Sequence, residues 1–143
     1  MTDSGQKKKL ISMAIEARNN AYAPYSGYFV GAALLCDDGS IYTGCNVENA
    51  SYGASNCAER TAVFKAVSEG HRKFVAIAIA GGKKTAAAHE TDYAYPCGIC
   101  RQVLREFSDP EKMTVLVCKS VDDYKEMTLE ELLPESFGPD HLK

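Results

Sequence analysis

An α/β layered domain built on a mixed sheet is what this sequence predicts, and three observations carry that expectation. Two apolar strands joined by a tight turn come early, so part of the sheet is antiparallel. Amphipathic helices then alternate with apolar strands, the order that makes parallel crossovers. The strand Tyr28–Cys36 is apolar on both faces, as in a sheet covered from both sides.

The elements follow in order. Leu10, Met13, Ala14, Ala17 and Ala21 recur at three- and four-residue spacings opposite Lys8, Glu16 and Asn20, which predicts a helix from Gln6 to about Ala21 that Pro24 prevents from continuing. Tyr28–Cys36, the turn signal Asp37-Asp-Gly39 and Ile41–Cys45 read as a hairpin. Asn56 is placed to cap a helix beginning at Cys57, with Ala62, Val63, Ala66 and Val67 on its apolar face and Gly70 at its end. Phe74–Ala80 is a buried strand, followed by a long connection from Gly81 to Tyr95. A helix from Cys97 to about Phe107 ends at Asp109-Pro110. Met113–Cys118, a weaker strand at Tyr124–Met127, and a helix from about Leu129 to Leu133 complete the chain.

No repeat, low-complexity stretch or linker divides the 143 residues, so residues 1–143 read as a single domain. The composition is 45% hydrophobic and 24% charged with a net charge of −3, which excludes disorder. The longest apolar run, Phe74 to Ala80, falls far short of the roughly 20 residues a membrane span needs. No secretory signal is visible at the start, and the expected location is cytoplasmic. Six cysteines are then anomalous, because a reducing compartment shifts their use from disulfides toward metal or catalysis.

Cys36, Cys45 and Cys118 sit in or at the ends of apolar strands and read as small buried side chains. The other three stand at predicted helix starts: Cys57 in Cys-Ala-Glu-Arg, and Cys97 and Cys100 in Pro-Cys-Gly-Ile-Cys. A thioredoxin-like redox pair leaves Cys57-Ala-Glu59 unexplained. A structural zinc site needs a fourth ligand at close spacing, and His71, His89 and His141 are isolated. A catalytic zinc site needs three protein ligands and an open position, which Cys57, Cys97 and Cys100 supply. Three thiolates around Zn²⁺ leave a net negative charge, which Arg60, or as a second candidate Arg101, could neutralise. Glu59 is positioned to reach over the open position as general base and then general acid.

These residues resemble the cytidine deaminase family, in its small homotetrameric three-cysteine type. Beyond Cys-x-Glu and Pro-Cys-x-x-Cys, the blocks Ala23-Pro-Tyr-Ser26, Val30-Gly-Ala-Ala-Leu34, Gly44-Cys-Asn-Val-Glu-Asn-Ala50 and Leu132-Leu-Pro-Glu-Ser-Phe-Gly-Pro139 are similar to the family's, in its order. The resemblance implies a three-layer α/β/α sandwich with a mixed five-stranded sheet. It implies zinc-dependent hydrolytic deamination of cytidine and 2′-deoxycytidine to uridine and 2′-deoxyuridine, a step of pyrimidine salvage. One Zn²⁺ per subunit would be held by Cys57, Cys97 and Cys100, with Glu59 as proton carrier. Asn46 and Glu48 would hydrogen-bond the ribose 3′-hydroxyl, Tyr28 would lie near the base, and Tyr52 would line the pocket. Phe137 would stack on the pyrimidine from a neighbouring subunit of a homotetramer. Two features depart from the family: the Tyr28-Phe29 pair, which adds a hydroxyl to the base-facing wall, and the long 81–95 connection.

Two rivals remain at this level. A deaminase of the same fold could act on an antibiotic nucleoside, a purine base or nucleic acid. The acidic balance, the absence of Trp and the confinement of the basic run to Lys7–Lys9 argue against nucleic acid. A noncatalytic zinc-stabilised module would require a fourth protein ligand, such as Cys45 or a histidine.

Overall fold

The computed structural model describes residues 3–83 and 91–143. Helix α1 (Ser4–Ala17) begins where the Asp3 side chain accepts a hydrogen bond from the Gln6 N–H, and a 3₁₀ turn at Arg18–Asn20 completes the predicted helical stretch. Strands β1 (Tyr28–Cys36) and β2 (Ile41–Cys45) form the expected hairpin. Helix α2 (Ala58–Ser68) leads to β3 (Phe74–Lys83), and α3 (Gly98–Glu106) leads to β4 (Thr114–Ser120). Strand β5 (Asp123–Thr128) runs directly into the short helix α4 (Leu129–Leu132), which Thr128 and Glu131 start with a reciprocal capping box.

The sheet order is β2-β1-β3-β4-β5. β3 and β4 are parallel and all other neighbours antiparallel, so the sheet is mixed and five-stranded as expected. One face carries Ala33, Leu35, Ala76, Ala78, Ala80, Leu116 and Cys118, which meet Leu10, Ile11 and Ala14 of α1. The opposite face carries Ala32, Leu34, Cys36, Ile77, Ile79, Val115 and Val117, which meet Ala58, Ala62, Val63 and Ala66 of α2 and Leu104 of α3. The alternation of β1 residues between these two clusters explains why the strand is apolar throughout: each parity faces a helix layer. No helix among the described residues is long and apolar enough to cross a membrane.

Three expectations change. Asn56 is not the cap of α2. Cys57 occupies that position, while the Asn56 backbone pairs with Val47 in both directions at 2.9 Å and its side chain donates to Thr61 Oγ1 at 3.2 Å. β3 runs three residues past Ala80, because β1 extends far enough to pair Tyr28 with Lys83, so Gly81 and Gly82 are strand rather than loop. The long connection is correspondingly shorter, and its residues 84–90, including His89, lie outside the described residues.

Two glycines set how closely the layers approach. A Cβ on Gly31 would lie 2.0 Å from the Ala14 carbonyl oxygen of α1. A Cβ on Gly44 would lie 2.5 Å from both the Ala58 carbonyl oxygen and the Ala62 amide nitrogen of α2. Backbone crowds both sites, so relief requires moving a helix. Gly31→Ala and Gly44→Ala are each expected to cost about 1–3 kcal/mol or more of stability, the range for overpacking. Urea unfolding midpoints measure it, and an unchanged midpoint would show that the layers are looser than described.

Candidate functional site

The first turns of α2 and α3 open toward the end of the sheet where β1 begins and β3 ends. Cys57 is the N-cap of α2 and Cys97 the N-cap of α3, and neither sulfur caps its own helix. Both are therefore free to face a shared space rich in helix N-terminal N–H groups, which favour negative charge. Cys100 enters from the first turn of α3 and is fully buried. The three sulfurs lie within 4.8 Å of one another, with Cys57 Sγ and Cys97 Sγ 3.9 Å apart. A tetrahedral zinc with Zn–S bonds of about 2.3 Å requires sulfurs about 3.8 Å apart. The donor set and its spacing thus fit zinc, and among the described residues no fourth donor belongs to this cluster.

Arg60 sits on the turn that follows Cys57 and donates from Nη2 to Cys57 Sγ at 3.2 Å. Burial opposes its charge, but hydrogen bonds to Cys57 and Cys100 outweigh burial and hold the guanidinium above its ordinary range. A hydrogen bond from the Cys100 thiol, against the effect of burial and aided by Arg60, holds Cys57 well below the usual thiol range. Cys100 is correspondingly raised by that bond to Cys57 and by burial. Arg101, the second expected counter-charge, points elsewhere: Nε donates to the Pro96 carbonyl at 2.8 Å and Nη1 to the Leu132 carbonyl at 2.7 Å.

Glu59 is only 4% exposed. Burial pushes its carboxyl up to about 7; its own helix N-terminal amide pulls the other way, and the Cys57 charge adds to the rise. A carboxyl in this state can both accept and return a proton near neutrality.

These groups border a cavity of about 520 Å³, within the usual span of roughly 300–1,000 Å³ for small-molecule sites. Tyr28, Asn46, Glu48, Tyr52, Cys57, Glu59, Arg60 and Cys97 all line it. Asn46 is fixed by β1, accepting from the Val30 N–H at 2.8 Å and donating to the Tyr28 carbonyl at 2.9 Å. The Glu48 carboxylate accepts from the Tyr25 and Ser26 amides at 2.9 and 3.1 Å and from the Ser26 hydroxyl, and those bonds lower its pKa. Burial raises the Tyr28 hydroxyl above its ordinary range, and the nearby Asp92 carboxylate adds to the rise. Tyr52 is 77% exposed at the rim and packs edge-on against Tyr25, their centroids 6.1 Å apart.

Phe137 does not line this cavity. It stands 58% exposed on the C-terminal segment, stacked on His141 at 5.4 Å. Helix α3 holds that segment: Gln102 Nε2 donates to the Phe137 carbonyl at 2.9 Å, and Arg105 donates to Ser136 Oγ and Asp140 Oδ1, each at 2.8 Å. Sequence reasoning missed Val30, Ala94 and Tyr95 on the cavity wall, and the supporting role of Ser26. Tyr95 was recoverable in principle, since it immediately precedes Pro96-Cys97.

Comparisons with known proteins place the chain in a family. Residues 4–117 match the family described as the cytidine and deoxycytidylate deaminase zinc-binding region. The chain belongs to the cytidine and deoxycytidylate deaminase family. A cytidine deaminase of Halalkalibacterium halodurans is 50% identical over 136 residues, covering 95% of this chain and 97% of that protein. One from Mycobacterium tuberculosis is 42% identical over 129 residues, covering 90% of this chain and 87% of its own length. Among solved structures, the cytidine deaminase from Burkholderia pseudomallei superposes with a TM-score of 0.79 at 44% identity, covering 96% of this chain and all of that one. The family's zinc-binding region and the three-thiol cluster point to zinc together.

The two arginines separate experimentally. Arg60→Ala is expected to weaken zinc retention about 10–100-fold, the usual cost of losing a group that supports a metal ligand. Arg101→Ala should leave retention unchanged. Competition with a chromogenic chelator measures both, and equal effects would refute the division of labour.

Proposed function

We propose that this protein catalyses hydrolytic deamination of cytidine and 2′-deoxycytidine to uridine and 2′-deoxyuridine, with release of ammonia. Each subunit would use one Zn²⁺ held by Cys57, Cys97 and Cys100. The observation that carries the reading is a buried carboxyl, Glu59, beside a three-thiol cluster with no fourth donor among the described residues. A noncatalytic zinc module would need that fourth ligand. The cytidine deaminases at 42–50% identity support the same substrate.

When bound, zinc acts as a Lewis acid that acidifies water for addition at C4 of the pyrimidine. Glu59 takes the proton released by that water and returns it to the departing amino nitrogen, so that water and cytidine become uridine and ammonia. Arg60 balances the thiolate charge and leaves the carboxylate role to Glu59. Asn46 and Glu48 bond the ribose 3′-hydroxyl; both are pre-set by bonds to the 25–30 segment, so little ordering is lost on binding. The Glu48 charge disfavours a phosphate in its place, which supports a free nucleoside over a nucleotide or nucleic acid. The basic run supports the same reading, since Lys7 pairs with Glu126 at 2.8 Å and Lys8 with Asp122 at 3.4 Å.

Tyr28 supplies a wall for the base and Tyr52 a rim. Phe137 completes the pocket from a neighbouring subunit of a homotetramer, consistent with its exposure and its absence from the lining of its own subunit's cavity. The reaction belongs to pyrimidine salvage, and a cytoplasmic setting suits a site made of reduced thiols.

Glu59→Gln is expected to keep its zinc yet lose turnover by more than the 10²–10⁴-fold typical of one acid–base group, roughly speaking. Ammonia release from cytidine, cytosine, adenosine and single-stranded oligonucleotides, read beside zinc content, tests both mechanism and substrate. Full metal with near wild-type turnover would overturn the assignment. Phe137→Ala should lower turnover without altering zinc content. A fully active monomer by light scattering would refute its action across an interface.

A further inference from the structure

Past the C-terminal end of α2, opposite the end that carries Cys57 and Glu59, a second set of metal-ligand side chains converges. Cys36 ends β1, Asp38 lies in the hairpin turn, and His71 follows α2; their donor atoms lie within 4.8 Å of one another. We propose that Cys36, Asp38 and His71 form a second metal site, for a borderline-soft divalent cation such as Zn²⁺, which staples the β1–β2 turn to the end of α2.

The geometry carries this in three ways. His71 Nδ1 and Asp38 Oδ2 are 3.5 Å apart, longer than a good hydrogen bond of about 2.7–3.2 Å. That separation is close to the edge of a tetrahedron with bonds of about 2.0–2.1 Å to nitrogen and oxygen, about 3.3 Å. Each donor is also held in place. The other Asp38 oxygen accepts from the Ser40 N–H at 3.0 Å, which leaves Oδ2 facing His71. The His71 ring lies against Tyr42 with centroids 5.2 Å apart, and its amide donates to the Ala66 carbonyl at 3.0 Å. The Cys36 amide and carbonyl are both bonded within the hairpin, to Ser40 and Gly39.

The chemistry is equally specific. Thiolate, carboxylate and imidazole together suit zinc better than magnesium or calcium, which take oxygen ligands. One thiolate and one carboxylate neutralise a divalent cation, so the assembled site carries no net charge into its partly buried position. On binding, the Cys36 S–H bond breaks, the sulfur pair goes to the metal and the proton leaves to solvent. Water fills the remaining position. Cys36 itself is 1% exposed, as buried as a core residue, while Asp38 and His71 give access from the surface.

The test is zinc stoichiometry of the full chain after equilibration with excess zinc and removal of the unbound metal. Wild type is expected to hold one zinc per chain more than Cys36→Ser, Asp38→Asn or His71→Gln, with ammonia release from cytidine unchanged in all. The reading is a difference between wild type and variants, so failure of the three-thiol centre would lower every sample alike and remain distinguishable. Anomalous diffraction at the zinc edge should place a peak among the three side chains. If Cys36→Ser fails to fold, the two variants outside the core keep the comparison. Equal zinc in wild type and variants, or no peak at this position, would overturn the proposal.

Discussion

Negative charge concentrated in a half-buried space is the constraint that organises this molecule. Three sulfurs and a buried carboxyl within the first turns of two helices would repel one another in a low-dielectric setting without compensation. Compensation comes from two sources built into the chain. Cysteines at both N-cap positions put the sulfurs where helix N–H groups point, and Arg60, on the next turn, bonds directly to Cys57. Glu59 is then free to differ from the sulfurs: burial raises its proton affinity, while hydrogen bonds hold the Cys57 thiol low.

This arrangement demands that α2 be placed accurately. Its first turn carries Cys57, Glu59 and Arg60, and that turn rests on Gly44 of β2, where Ala58 and Ala62 approach too closely for any side chain. Gly31 does the same for α1 on the other face. The sheet is thereby clamped between helix layers at two backbone contacts, and small side chains at Ala76, Ala78 and Ala80 extend the close fit along β3. Placement of the site and core packing are the same property here, because the elements that fill the core also carry the three clustered sulfurs and Glu59.

Most of the fold was legible because its signals were local. Apolar runs bounded by Asp-Asp-Gly, Gly70 and Asp109-Pro110 marked the elements, and the parity of β1 announced two covered faces. The clustering of Cys57, Cys97 and Cys100 beside Glu59 was legible for a different reason: their spacing restricts the available chemistry to few readings. What was not legible depended on contacts between distant residues. Gly81 and Gly82 read as a loop because their strand identity comes from pairing with Phe29 and Val30, and the space beside Gly81 is taken by the Tyr28 ring and Ala94. Arg60 and Arg101 have similar sequence settings after a cysteine, yet one meets a thiol and the other meets the Pro96 and Leu132 carbonyls. Nothing local encodes that difference.

Helix α3 supplies Cys100 from one face while Gln102 and Arg105 grip the C-terminal segment from another. Arg105 is itself buried, and its partners Ser136 and Asp140 both lie within the last eight residues. Trimming the chain after Glu135 would therefore do more than remove a tail: it would strip the Arg105 guanidinium of Ser136, Asp140 and the Gly138 backbone packed on it, on the helix that carries Cys100. For protein engineering this makes residues 136–143 an unforgiving stretch to shorten, and changes there should leave the Arg105–Asp140 pair intact.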